Sequence, residues 1–416
     1  MPTLDEWEQA FVAPRQVRVE SSDGLIEEIQ ERHQAKDAWR QERKKAVPPR
    51  KSLLTTVGPF APERLIEVTP AYLMHRLGVV TTPPVENLAD LCSTWAYFRY
   101  LWAFDIPTPG TLGPLRLSDD ARNIDFHQKG LLSDQIGVGM AAVLVGDYLN
   151  APFAADVSVA VADPSWPIDV EDGPSPDYLF FDADRTTIFV VECKGTQTSR
   201  RTAIDQLRRG SEQVPSLTFT DGRQPPPAIV IATYLSHDGT EILVIDPPSD
   251  EEPHKPRETA KRLSQREWIV EKTEDFTRTL TLLAEAKLLS FAGADQAASA
   301  RLERADVSRP TTRRSVPREA VVEENELGAF RGVSGRVGFK DRSTIDVFQG
   351  LDTTVYDALV ADEPARTVET LMDFRKKGTA GDFLGRQPVV SSRENGALVV
   401  RSVAPDGSFL EVRVRG

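Results

Sequence analysis

The sequence predicts an α/β protein: a mixed sheet flanked by helices, with a mainly helical N-terminal region and a small α+β domain at the C-terminus. Three observations carry this. Segments of helical and of strand period alternate between residues 129 and 246. The first 115 residues are dominated by charged stretches with sparse apolar anchors at helical spacing. The last stretch mixes strand-like runs with one helix and closes on a hairpin whose turn is Asp406-Gly407.

The chain of 416 residues divides on this reading into residues 1–115 (helical), 116–250 (the α/β core), 251–291 (a helical extension), 292–327 (a linker) and 328–416 (the α+β domain). In the first region, 24–46 reads as a solvated helix anchored by Leu25, Ile26, Ile29 and Trp39, broken by "VPPRKS". Residues 85–104 carry aromatics at helical spacing and read as core packing. In the core, 129–150 predicts a helix and 154–163 alternates like a strand. A proline- and acid-rich loop follows, then two strands within "SPDYLFFDADRTTIFVVECKGT". Ser199 is a suitable N-cap for an amphipathic helix whose stripe is Ala203, Ile204, Leu207 and Val214. "PAIVIATYL" and "EILVID" complete the order helix, strand, strand, strand, helix, strand, strand. A charged helix is expected over 258–289, and "SRPTTRRSVPRE" reads as linker.

With 40% hydrophobic and 27% charged residues, the balance is that of a soluble globular protein. No apolar run reaches the ~18 residues of a membrane span, and "MPTLDEWEQAF" lacks the order of a signal peptide, so a cytoplasmic protein is expected. Cys92 and Cys193 are too few for a disulfide framework or zinc knuckle. A net charge of -13 argues against a protein that coats nucleic acid without specificity, but not against a local basic cleft.

The charged residues at the strand ends need an explanation. If the two strands form a hairpin with an even loop centred on Asp184-Arg185, residues whose numbers sum to 369 face each other. Asp177 then opposes Glu192, and cross-strand Cβ atoms lie about 4.5–5.5 Å apart. Two carboxylates at that spacing can grip one divalent ion. Lys194 projects from the same face as Glu192, and Cys193 from the other. The strand "TTIFVVEC" is apolar on both faces, as in a sheet covered on both sides. Unpaired charges buried at its end would cost several kcal/mol. The bland alternative leaves Glu192 and Lys194 in solvent at a strand end, with Asp177 starting a turn.

"PDY…VVECKG" resembles the signature of the PD-(D/E)xK nuclease superfamily, and the element order is that of its restriction-endonuclease-like core. The resemblance covers residues 118 to 248. It implies that Asp177 and Glu192 ligate Mg²⁺ (or Mn²⁺), helped by the Cys193 backbone carbonyl, and that Lys194 positions or activates the attacking water. The first-helix acid of the family would be Asp134, which serves equally as the first-turn acid of a helix capped by Ser133. The second-helix glutamine would be Gln206, on one helical face with Arg209 and Gln213. Arg200, Arg201, Arg208 and Arg209 make this stretch locally basic, and a nucleic-acid backbone would lie there. An ordinary polar helix face is the alternative.

Two rival signals are weak. "GVGMAA" matches G-x-G-x-x-A at Gly137 and Gly139 but lacks the preceding strand of a dinucleotide site, so its glycines read as close helix packing. The histidines, His127 included, show neither metal-ligand nor triad spacing. The expected function is therefore that of a metal-dependent nuclease, a DNA endonuclease rather than one acting on RNA, and by resemblance the effector of a bacterial restriction or anti-phage defence system. The alternative is a catalytically inactive or partner-activated nucleic-acid-binding or scaffold subunit. Cutting both strands often needs two active sites, which suggests a homodimer or a protein partner in a defence complex.

Overall fold

Seven strands form the central mixed sheet of the protein, whose computed structural model describes residues 3–45, 54–83, 94, 97, 99–100, 102–108, 111–161, 168–170, 174–183, 187–214, 217–219, 226–246, 274–305, 320–338, 343–361, 364–377 and 389–415. In chain order these seven and a separate pair, β4 and β7, are β1 (Arg15–Glu20), β2 (Glu63–Val68), β3 (Phe153–Asp156), β4 (Ile168–Val170), β5 (Tyr178–Phe181), β6 (Ile188–Thr196), β7 (Leu217–Phe219), β8 (Ala228–Leu235) and β9 (Thr240–Ile245). The sheet runs β2-β1-β9-β8-β6-β5-β3, and β4 pairs with β7 outside it. β3, β5 and β6 form an antiparallel meander. β6 and β8 are parallel, as are β1 and β9, while β8 and β9 are antiparallel.

The main helices of this half are α1 (Leu4–Val12), α2 (Asp23–Glu42), α3 (Pro70–Thr81), α4 (Phe126–Val143) and α5 (Arg200–Gln213). Glycines set where α4 and α5 lie. A Cβ on Gly195 would meet Ser133 of α4, whereas a Cβ on Gly210 of α5 would meet Val230 and Glu192. Since successive strand residues face opposite ways, α4 covers the Cys193/Gly195 face and α5 the Glu192/Lys194 face. Strands so covered are buried nearly throughout, as the apolar runs of β6 and β8 require.

The expected order from the first core helix onward is present: α4, β3, β5, β6, α5, β8, β9. The hairpin register is also as expected, Tyr178 facing Val191 and Phe181 facing Ile188, each pair summing to 369. The turn centred on Asp184-Arg185 lies outside the described residues. Ser199 caps α5, accepting from the Thr202 amide at 3.1 Å.

Other expectations change. The first 115 residues are not merely helical: "RQVRVE" and "ERLIEV" form β1 and β2 and extend the central sheet through β9. Of the anchors expected in α2, Leu25, Ile26 and Ile29 are buried, but Trp39 is 38% exposed, with Lys36, Arg43 and Lys45 around its ring. The strand expected over 154–163 ends at Asp156, where a single helical turn begins. Ser133 does not cap a helix: α4 starts earlier, capped by Asp125, and Ser133 Oγ donates to the Lys129 carbonyl. Most of 85–104, the break at 47–52 and "SRPTTRRSVPRE" lie outside the described residues, as does the first half of the helix expected over 258–289.

That helix is described as α6 (Glu274–Phe291), and α7 (Asp295–Arg304) occupies part of the expected linker. The C-terminal sheet begins at Val321, ahead of the expected boundary. It comprises β10 (Val321–Asn325), β11 (Gly328–Gly338), β12 (Thr344–Asp352), β13 (Val389–Glu394), β14 (Ala397–Val403) and β15 (Ser408–Arg415), ordered β10-β11-β12-β15-β14-β13. α8 (Thr353–Ala361) and α9 (Pro364–Lys377) accompany it. The β14–β15 hairpin turns at Gly407, whose φ of +82° is one that glycine adopts without strain.

One hydrophobic core runs from Phe11 through both sheets to Val414. The C-terminal sheet is thus built onto the rest rather than hung from a linker. Arg76 of α3, fully buried, pairs with Asp406 of the β14–β15 turn at 2.5 Å and donates to the Pro152 carbonyl at 2.9 Å. His75 stacks on Phe291 and bonds Ser402, and burial pushes its imidazole down to about 3. Among the described residues, no helix is long and apolar enough to cross a membrane.

Candidate functional site

The hairpin register brings Asp177, Glu192 and Lys194 together at the C-terminal end of β6. Extended by one step beyond the Tyr178–Val191 pair, it places Asp177 across from Glu192. Asp177 Oδ2 accepts the Cys193 amide at 2.8 Å, which fixes its carboxyl against the strand. In a strand, a residue's amide and carbonyl point the same way. The Cys193 carbonyl therefore also faces the Asp177 side, beyond the start of β5. The Cys193 thiol is buried and pushed far up by that burial, so it is no nucleophile.

Glu192 is completely buried beneath Gly210 of α5. Its Oε1 is ion-paired with Lys194, and no described residue donates a hydrogen bond to Oε2. Burial, then the neighbouring Asp177 charge, push its carboxyl up to about 7, against the pull of Lys194. Burial raises Asp177 too, against the opposing effects of the Cys193 amide and Lys194. The two carboxyls are close enough to share a hydrogen bond when one is protonated. Lys194 is held charged: burial works to lower its ammonium, and Glu192 and Asp177 more than offset it, leaving it raised. Two carboxylates served by one lysine are short of positive charge, which is the electrostatic condition a cation would relieve.

Asp134 approaches from the opposite layer. Gly195 lets α4 rest on β6, and burial raises the Asp134 carboxyl, with Lys194 lowering and Asp177 raising it. Its side chain is nonetheless exposed, in the middle of α4 rather than its first turn. Among the described residues, no group of three or more His, Cys, Asp or Glu side chains is arranged to hold a metal ion. Any divalent ion held there would have two carboxylates and the Cys193 carbonyl as its protein donors. Magnesium tolerates so small a set because it keeps several of its waters.

A cleft of about 690 Å³ opens at the C-terminal ends of β6 and β8; Gly195, next to Lys194 in the chain, lines it, whereas Asp177, Glu192 and Lys194 themselves do not. Its inner wall includes Asp134, Gly195, Thr196 and Gln206, and its outer rim includes Phe126 and His237. Gln206 donates to the Gly195 carbonyl at 3.2 Å. The four arginines expected to meet a nucleic-acid backbone divide. Arg200 is engaged by Glu20, Glu28 and Glu241, and Arg208 is buried against Glu212. Both are thus engaged by carboxylates of the fold itself. Arg201 and Arg209 are exposed and form no ion pair among the described residues. The expected helix face is therefore half structural.

The sequence reading missed Phe126, Lys129 and Tyr234, all lining the cleft. The available signal was Asp125, which caps α4 a full turn before the expected start and brings Phe126 onto the helix, one turn from Lys129. No family model matches the chain, and no curated protein or solved structure matches it either.

Proposed function

We propose that the protein is a divalent-metal-dependent nuclease acting on DNA. Asp177, Glu192 and the Cys193 carbonyl would hold Mg²⁺ or Mn²⁺, and Lys194 would act beside them. The carrying observation is the β5–β6 register, which converges the buried Glu192 and the half-buried Asp177 on one lysine, one residue from Gly195 of the cleft lining. The order α4, β3, β5, β6, α5, β8, with β6 and β8 parallel, supports the same reading, being the order that the PD-(D/E)xK resemblance implies. The donor-free Glu192 Oε2 and the raised carboxyl pair fit a bound cation.

When bound, the ion would polarise a phosphoryl oxygen, lower the pKa of a bound water and stabilise the leaving oxygen. The chain's own groups do the rest. The Cys193 amide orients Asp177 so that one oxygen stays available. The α5 helix covers Glu192, excluding bulk water and strengthening every charge interaction at the pair. Lys194, held protonated, offsets negative charge developing on the attacked phosphate. Asp134 and Gln206 face the incoming strand from the cleft. A place in restriction or anti-phage defence rests on the resemblance alone.

A second reading, a nucleic-acid-binding subunit without catalysis, is favoured by the complete burial of Glu192 and its pairing with Lys194. Incubation with supercoiled and linear DNA in Mg²⁺ or Mn²⁺ separates the two. Cleavage lost in Glu192→Ala and Lys194→Ala supports the nuclease. Binding without product under any metal supports the second reading. Cleavage undiminished in both variants overturns the assignment of the site.

A further inference from the structure

We propose that the cleft beside the acidic pair receives a single-stranded segment of nucleic acid, one base stacking on Phe126, and that an intact duplex is not the preferred ligand. The proposal rests on the nuclease reading for the class of ligand and adds the form it takes. Phe126 opens α4 at the rim of the cleft and is 84% exposed, the most exposed large apolar side chain among the described residues. Among the described aromatic rings it pairs with His127, at 6.2 Å and steeply inclined, and its exposure leaves most of the ring open to a partner.

Positive charge accompanies the ring. Lys129 lies one turn along α4 on the same helical face as Phe126, lines the cleft and forms no ion pair among the described residues. On α5, which covers the other face of the sheet, Arg209 stands one turn beyond the cleft-lining Gln206, exposed and likewise without an ion pair among the described residues. Tyr234 supplies a second aromatic surface and Thr202 a hydroxyl. An aromatic platform with flanking cations is the pattern that holds single strands: bases stack on rings while the backbone tracks the charges.

Size and depth choose between one strand and two. A volume of about 690 Å³ lies in the class of sites that take small ligands, room for a few bases but not for the body of a duplex. Glu192 is completely buried, so the phosphate to be cut must be drawn inward. A separated strand can be threaded there, whereas the phosphates of paired strands are held at the rim.

The test measures fluorescence anisotropy of a labelled oligonucleotide of about 12 nucleotides, within the usual range of single-strand site sizes. It is run in EDTA, so that nothing is cut, against the same sequence annealed to its complement. The single strand is expected to bind at least tenfold more tightly. Phe126→Ala should weaken it about 5- to 140-fold, the usual effect of removing one stacking ring, with Phe126→Trp retaining it. Removing Lys129 and Arg209 together should flatten the salt dependence by about 1.4 in log–log slope. Equal binding of both forms, no binding of the single strand, or indifference to Phe126→Ala overturns the proposal. The nuclease reading fails separately: tight, Phe126-dependent single-strand binding without cleavage under any metal leaves the docking site and removes the catalysis. Cleavage that ignores Phe126 does the reverse.

Discussion

A Cβ on Gly195 would lie 1.8 Å from the carbonyl oxygen of Ser133. The end of β6 and the middle of α4 therefore touch backbone to backbone, and this contact sets where Asp134, Lys129 and Phe126 stand relative to the acidic pair. The missing Cβ on Gly137, 2.8 Å from the Lys194 carbonyl, repeats the arrangement one turn later. A methyl at Gly195 must push the helix off the strand, because backbone cannot swing aside as a side chain can. Gly195→Ala is expected to lose about 3 kcal/mol or more, at the upper end of overpacking effects. Gly130→Ala is the control. Exposed in the same helix with nothing within 4 Å of its added Cβ, it should gain about 0.5–1 kcal/mol from helix propensity. Urea denaturation of the two variants checks both.

Glu192 should leave a signature in the dependence of stability on pH. Its carboxyl titrates near 7 in the fold against an ordinary 4.5, so the folded chain holds this proton over a range in which the unfolded chain has released it. Below about 4.5 both states are protonated and there is no penalty. As pH rises to about 7 the buried charge is forced on the fold, and stability falls, by an amount on the order of 3 kcal/mol. Glu192→Gln keeps the shape and removes the charge. The difference in urea midpoint between variant and parent should be small at pH 4.5 and favour the variant increasingly up to pH 8. A constant difference across that span would contradict the burial-driven shift.

How much of this was legible in the sequence follows from where each constraint originates. The β5–β6 pairing was legible because the strands are adjacent, apolar and joined by a short loop, so local pattern alone fixes which residues oppose. β1 and β2 were not. Val17 and Val19, like Ile66 and Val68, do alternate, but in short segments rich in charge, and the β9 partner of β1 lies over 200 residues away in the chain. Arg200 shows the same limit for charge. Counted along α5 it is a free cation, but Glu20, Glu28 and Glu241 come from three distant elements that only the fold assembles around it. Phe126 was hidden by a boundary: with the helix start placed at 129, the residue at the rim of the cleft fell into a loop.

The Arg76–Asp406 pair should be a strong determinant of stability, since both partners are at most 1% exposed. Asp406 was read as a turn residue, and it is one, accepting from the Ser408 amide at 3.0 Å. It also neutralises a guanidinium that has no access to water. Asp406→Ala strands that charge, and breaking a buried pair costs about 3–5 kcal/mol. Asp406→Asn keeps the turn bond but not the charge and should cost less. The double variant Arg76→Met/Asp406→Asn should recover part of the loss, because no buried charge remains unpaired. Thermal and urea unfolding of Arg76→Met, Asp406→Asn and the double variant gives the coupling directly. If the two single losses simply add, the pair is not the unit that matters.

Divalent cation should stabilise the folded chain by binding the acidic pair. Asp177 and Glu192 repel one another in a site with one lysine, and burial raises both carboxyls, so an ion that enters relieves a cost already present. A ligand that binds only the folded state adds about 2.7 kcal/mol at one hundred times its dissociation constant. Mn²⁺ and Mg²⁺ should therefore raise the melting temperature of the parent. The rise should grow from pH 6 to pH 8, because a proton on Glu192, held to about 7, competes with the metal. Glu192→Gln, already relieved of its charge, should melt higher than the parent without metal and gain little when metal is added. The crossing of these two curves distinguishes a cation held at the pair from one bound elsewhere on an acidic surface, which would shift parent and variant alike.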